Sequence, residues 1–208
     1  MLDKYTRVYW TRFLSPIARG LLRMGVTPDA ITVVGTIGVV AGALVFYPQG
    51  EFLWGTVAIT AFVFFDNIDG TMARISGRIS TWGAFLDSTL DRFGDAAIFA
   101  GLALWFAGQG DDLRLVALCI ACLTLGAVVS YARARAESLG YTARGGIAER
   151  AERLLVVLLV TGLVGLFDLP VVVLEVMLWV LAVASAWTVF TRIHEVSRQA
   201  NHPQADSA

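Results

Sequence analysis

Four aspartates fall within one short stretch of an otherwise apolar chain: Asp66 and Asp69, three apart, then Asp87 and Asp91, four apart. Three or four residues is one helical turn, so each pair faces a single direction on its helix. Only the short connection from Arg74 to Ser80 separates the two pairs, which makes their helices antiparallel neighbours. At about 1.5 Å per residue, Asp66 lies roughly 12 Å from Arg74 and Asp91 roughly 16 Å from Ser80, so the pairs come level. Four like charges in a partly dry site repel and cannot all stay ionised without cations. Carboxylate oxygens favour Mg²⁺ or Mn²⁺ over Zn²⁺, and carboxylates from two helices can bridge a metal pair of the kind used in phosphoryl transfer. Gly70 and Gly83 remove side chains beside the acids, leaving room for helix packing or for a phosphate against the backbone. Arg74, one turn beyond Gly70, is placed to hold a diphosphate or to snorkel to the membrane interface. The carboxylates alone leave two classes open, a metal-dependent enzyme and a cation transporter.

The elements that must carry these residues are membrane helices. The chain has 208 residues, of which 57% are hydrophobic and 16% charged. Apolar runs over 29–47, 52–73, 81–107, 112–134, 150–167 and 170–191 each have a length that crosses a bilayer of about 30 Å. The expectation is an all-α integral membrane protein of six transmembrane helices, one domain over 1–208 with a bundle over 28–198 and a polar tail after it. Before the bundle, residues 1–25 read as a juxtamembrane segment. Leu2, Tyr5, Tyr9 and Phe13 form an apolar stripe at helical spacing, with Asp3, Lys4, Arg7 and Arg12 off it, as in an interfacial amphipathic helix. Ser15 and Pro16 then carry the signature of a helix start, Gly25 that of a stop, and Thr27-Pro28 a second start. The opening does not resemble a cleavable signal.

A net charge of −1 hides a one-sided distribution. Lys4, Arg7, Arg12, Arg19 and Arg23 precede the first span, and Arg74 and Arg78 follow the second. Arg133, Arg135, Arg144, Arg150 and Arg153 surround the fourth connection, and Arg192 and Arg198 close the sixth span. The positive-inside rule puts both termini and these connections in the cytoplasm of a plasma-membrane protein, with the aspartates opening on that side. Gly38 and Gly42 read as a helix-packing pair. Cys119 and Cys122, with no further ligand nearby, read as small buried residues without a role.

Asp66, Asp69, Gly70, Ala73, Arg74, Gly83, Asp87 and Asp91 match, at every spaced position, the signature of the CDP-alcohol phosphatidyltransferase family, which the chain therefore resembles. The resemblance implies transfer of the phosphatidyl group from CDP-diacylglycerol to an alcohol with release of CMP. It implies that Asp66, Asp69, Asp87 and Asp91 hold two Mg²⁺ per protomer, Mn²⁺ being able to replace them, and that Asp91 is the general base. It further implies that Asp29, Ala30, Ile31, Thr32, Gly70, Arg74 and Ser80 bind CDP-diacylglycerol, and it suggests a homodimer. Membrane lipid and the substrates are the expected partners, with no nucleic acid.

For the acceptor, Ser130, Arg133, Arg135, Arg153 and Arg192 form a basic group at the ends of the last three spans, suited to an alcohol that already carries phosphate. The stretches Ser130 to Glu137 and Gly145 to Arg153 resemble the actinobacterial branch of the family that uses 1D-myo-inositol 3-phosphate. In that branch residues matching Ser130, Arg133, Arg153 and Arg192 bind the acceptor phosphate. Two positions depart from that branch: Ala151 stands where proline is common, and Arg133 where lysine is expected, which keeps the charge but not the hydrogen-bond geometry. Glycerol 3-phosphate, also anionic, is the alternative acceptor.

Overall fold

A computed structural model describes residues 15–77 and 80–201, without the side chains of residues 65–67. The expected amphipathic stretch over 2–14, Arg78 and the tail beyond Asn201 lie outside the described residues. A helix over 15–23 (α1) ends at Gly25, whose φ of 81° lets the chain turn back. Ser15 is already helical, so it is not the cap that its pairing with Pro16 suggests. Six longer helices follow: α2 (Pro28–Phe46), α3 (Phe52–Ser76), α4 (Thr81–Ala107), α5 (Leu113–Ser138), α6 (Arg150–Phe167) and α7 (Val172–Asn201). There is no strand among the described residues.

Their ends are set by local chemistry. Thr27 caps α2 by accepting from the Ala30 N–H at 3.2 Å, with Pro28 in the first turn. Ser80 caps α4 through the Gly83 N–H at 2.9 Å. Asp112 caps α5, accepting from the Arg114 and Leu115 N–H groups. The Arg114 side chain, hydrogen-bonded to Asp112 at 2.9 Å, holds that carboxyl below the usual carboxylate range. α7 runs ten residues past the expected end at 191, because its last turns grip the 140–148 connection. Glu195 accepts from the Gly145 N–H at 3.0 Å, and Gln199 from the Thr142 N–H at 2.9 Å.

The six helices close into a ring in the order α2, α3, α6, α7, α5, α4, each packed chiefly against its two neighbours. One core fills the ring, from Val39 and Ala43 on α2 through Ile59, Ile98 and Leu102 to Cys119, Cys122 and Leu178. Both cysteines are buried and unbonded to each other, and the Cys122 thiol donates to the Leu178 carbonyl at 3.2 Å. Gly38 and Gly42 face Phe62 and Ile59 of α3, which makes them packing residues. A smaller cluster of Ala18, Ile31 and Met72 seats α1 on the ends of α2 and α3. Outside, large apolar side chains such as Trp54, Phe93, Leu155, Trp179 and Phe190 are more than half exposed, an exterior suited to lipid. α2, α3, α5 and α7 are long and apolar enough to cross a membrane. α4 differs by carrying Asp87, Asp91, Arg92 and Asp95, and the 18-residue α6 by opening on Arg150, Glu152 and Arg153.

α2 and α4 approach each other closely. A Cβ on Gly101 would stand 2.5 Å from the Ala43 carbonyl oxygen, which is backbone and cannot yield. Gly101→Val is expected to destabilise the detergent-solubilised protein by about 1–3 kcal/mol, read as a lowered unfolding temperature. Gly20, with open space at its Cβ position, supplies the control, and Gly20→Ala should leave that temperature unchanged or raise it.

Candidate active site

The start of α2, the end of α3 and the start of α4 meet around a cavity of about 330 Å³. Asp29 and Thr32 enter it from α2, Asp69, Gly70 and Arg74 from α3, and Gly83 and Asp87 from α4, with Ser80 at the turn between. The Thr27 cap fixes the first turn of α2, so Asp29 and Thr32, three apart, reach the same side. Thr32 is buried, and its hydroxyl donates to the Asp69 carboxylate. Asp69, 8% exposed, is therefore an acid held in place by a neighbouring helix. Arg74 stands exposed at the rim and donates to Thr71 Oγ1 at 3.2 Å.

Both glycines open this wall. A Cβ on Gly83 would come within 3.2 Å of Ser80 Oγ and 3.7 Å of Asp29 Oδ1, while Gly70 has only the Arg74 guanidinium within 4.0 Å. The Gly70 backbone is thus left open to the cavity, one turn before Arg74. The expected nucleotide set converges here except for two members. Ala30 is exposed in the first turn of α2, and Ile31 packs under α1 against Ala18 and Met72.

Of the four aspartates, three have described side chains, and these line two separate spaces. Asp69 and Asp87 line the cavity. Asp66 lies one turn before Asp69 on α3, and its side chain is outside the described residues. Asp91 lines a separate, water-sized space with Asp95 and Arg150. Among the described residues no three carboxylate, imidazole or thiol groups stand close enough to hold a metal ion. The donors in the cavity are nevertheless all oxygens, the chemistry that a hard divalent cation selects.

An arginine distant in sequence compensates Asp91 alongside its chain neighbour Arg92. Arg150 Nη2, at the first turn of α6, stands 2.7 Å from Asp91 Oδ1. Arg92 Nη2 is 3.9 Å from the other oxygen. The same arginines reach Asp95, one turn further along α4, which also meets Arg153 Nη2 at 3.6 Å. Neither Asp95 nor Arg150 stands out in the sequence as a functional residue. The available signal was the spacing, since Asp87, Asp91 and Asp95 recur every fourth residue and make one continuous acidic stripe.

That stripe leads to the basic group on α5, α6 and α7. Arg92 donates to the Ser130 hydroxyl. Arg192, 2% exposed, donates to the carbonyls of Val129 at 2.6 Å and Gly145 at 3.1 Å, and to Glu149 at 3.0 Å. Arg133 approaches the same Glu149 oxygen at 3.7 Å. Arg153, 3% exposed, donates to the Ala148 carbonyl at 3.0 Å. Thr188 accepts from the Ile147 and Ala148 N–H groups, so α7 pins the segment that precedes α6. These residues thus fall into two polar groups, Arg133 and Arg192 joined by Glu149, and Ser130 and Arg153 joined through Arg92 and Asp95. Glu149, which sequence reading passed over, is the acid common to two of them.

The chain matches the family model described as CDP-alcohol phosphatidyltransferase over residues 25–190. It is 53% identical to a phosphatidylinositol phosphate synthase of Streptomyces avermitilis, over all of this chain and 87% of that one. A protein of the same name from Cutibacterium acnes is 50% identical over 95% of this chain and 98% of its own. Two crystal structures of the Mycobacterium tuberculosis phosphatidylinositol phosphate synthase share the fold. The one with CDP-DAG bound has a TM-score of 0.83 at 46% identity, covering 89% of this chain and 94% of that one. The complex with manganese and citrate has a TM-score of 0.85 at 45% identity, covering 88% of each. An unbroken family match across α2 to α7, with relatives this similar over nearly their whole length, makes the chain a member of the CDP-alcohol phosphatidyltransferase family.

Proposed function

We propose that this protein transfers the phosphatidyl group of CDP-diacylglycerol to the hydroxyl of inositol phosphate, giving phosphatidylinositol phosphate and CMP. The observation that carries the reading is the single cavity shared by Asp29, Thr32, Asp69, Gly70, Arg74, Ser80 and Asp87, with Asp91 one turn beyond Asp87 on α4 and paired to Arg150 and Arg92. The relatives named phosphatidylinositol phosphate synthase and the CDP-DAG bound in the M. tuberculosis structure support the reaction and its donor. Membership of the family sets aside cation transport as a use for the carboxylates.

In this reading Asp29, Thr32, Gly70, Arg74 and Ser80 hold the cytidine diphosphate end, with Ala30 and Ile31 shaping the α2 turn behind it. Asp66, Asp69, Asp87 and Asp91 would hold two Mg²⁺ per protomer. The manganese in the M. tuberculosis complex is in keeping with a divalent site of this kind. When bound, such cations offset the diphosphate charge and stabilise CMP as it leaves. Asp91 accepts the proton of the attacking hydroxyl, whose oxygen bonds to the phosphorus that carries diacylglycerol as the bond to CMP breaks. Its place between the cavity and the arginines suits that role, because the acceptor has to meet the donor there. Ser130, Arg133, Arg153 and Arg192 orient the acceptor phosphate. The six helices form one membrane domain of six spans, with both termini and the cavity on the cytoplasmic side, and the assembly is a homodimer.

The purified protein, given CDP-diacylglycerol and Mg²⁺, is expected to release CMP when inositol phosphate is added. Release with glycerol 3-phosphate and none with inositol phosphate would overturn the choice of acceptor. Chelation of divalent cations should abolish CMP release, and Mg²⁺ should restore it. Activity that persists through exhaustive chelation would remove the metals from the mechanism. Asp91→Asn should still bind CDP-diacylglycerol while turnover falls by about 100-fold or more, and normal turnover would end its assignment as the base.

A further inference from the structure

We infer that Asp95 is a positioning residue for the acceptor: it gathers the arginines that present the attacking alcohol to Asp91. The inference rests on the function proposed above and assigns a residue outside the eight-residue signature. Asp95 follows Asp91 by one turn on the same face of α4, and three guanidinium groups from two helices converge on it. Its Oδ1 meets Arg150 Nε at 3.2 Å, and its Oδ2 meets Arg153 Nη2 at 3.6 Å and Arg92 Nη2 at 3.9 Å. Its side chain is only 15% exposed, and the Arg153 side chain 4%, so water screens these charges poorly.

Each arginine leads somewhere different. Arg150 continues to Asp91, and Arg92 continues to Ser130. Arg153 lies against Gly126 of α5 and the Ala148 carbonyl, within the basic group. Asp95 is the anion common to all three, and it keeps three like charges close enough to act on one bound phosphate. Two water-sized spaces flank it, one shared with Asp91 and Arg150, the other with Arg92 and Arg153. Without the Asp95 charge, Arg92 and Arg150 both fall to Asp91, while Arg153 loses its carboxylate partner. The cytidine cavity is lined by none of these groups, so donor binding is independent of Asp95.

The test compares wild type, Asp95→Asn and Asp95→Glu in the full-length protein with Mg²⁺. CMP release should give a KM for inositol phosphate raised about tenfold or more in Asp95→Asn, with the KM for CDP-diacylglycerol within about twofold of wild type. Asp95→Glu, which keeps the charge, should recover part of the loss. In a second readout that needs no turnover, inositol phosphate should raise the unfolding temperature of wild type more than that of Asp95→Asn. CDP-diacylglycerol should raise both equally. A merely structural residue would move both substrates together. An unchanged acceptor KM, or a parallel loss of donor binding, overturns the role of Asp95 and leaves the proposed function standing. If Asp95→Asn does not fold, Asp95→Glu decides alone, since displacing the charge must raise the acceptor KM and spare the donor. Wild type that neither releases CMP nor is stabilised by inositol phosphate or glycerol 3-phosphate overturns the function reading instead.

Discussion

Charge placed among apolar helices has to be compensated within a few ångströms, and α4 is the element on which that requirement falls hardest. Asp87, Asp91 and Asp95 lie along one of its faces, beside the core that holds Ile98 and Leu102. No isolated helix of this composition is stable in a bilayer. Around it, α2 and α3 bring the Thr32 hydroxyl, Asp69 and Arg74 to the level of Asp87, and α6 brings Arg150 and Arg153 to Asp91 and Asp95. The position of α4 in the ring, between α2 and α5, follows from this need as much as from packing. One end of the acidic stripe faces the oxygen-lined cavity, the other the arginines.

The supporting structure is fixed by a few local devices. Gly101 lets α4 approach the backbone of α2, and the Thr27 and Ser80 caps start both cavity-lining helices at defined residues. α7 performs the same service for the basic group. Thr188, Arg192, Glu195 and Gln199, on successive turns, hold the connection before α6 through its backbone N–H and carbonyl groups. That connection sets where Arg150 and Arg153 begin, so the register of α7 is passed to the arginines facing Asp95.

Much of this was legible in the sequence, and the part that was not has a common cause. The boundaries of α4 and α6 are those of their apolar runs, and spacing alone puts Asp69, Gly70, Arg74, Gly83 and Asp87 together across a short antiparallel turn. Those relations are local or nearly so. The partners of Asp91 and Asp95 come from Arg150 and Arg153, more than 50 residues away, and a count of cations on the same helix finds only Arg92. Glu149 was missed for the same reason, since its two arginines come from α5 and α7. Ser15 misled in the other direction, because it lies within the helix that the Ser-Pro pair was expected to cap.

The buried arginines carry a last consequence for how an anion is bound. Arg192 commits donors to two backbone carbonyls and to Glu149, and Arg153 commits donors to Ala148 and Asp95. A guanidinium has five N–H donors in a rigid fork, so fixing some of them to backbone orients the rest without further loss of side-chain entropy. In the proposed reaction, binding an anion there would cost less ordering than with mobile side chains and would place its phosphate accurately for attack on a neighbouring phosphorus. Glu149 and Asp95 are part of the same economy. Each is an internal anion that holds the arginines in place before any phosphate arrives, and a ligand bearing phosphate must present a stronger field than these carboxylates to engage them. In the proposed reaction a neutral alcohol lacks the charge to do so, and the pairing of the arginines favours a phosphorylated acceptor.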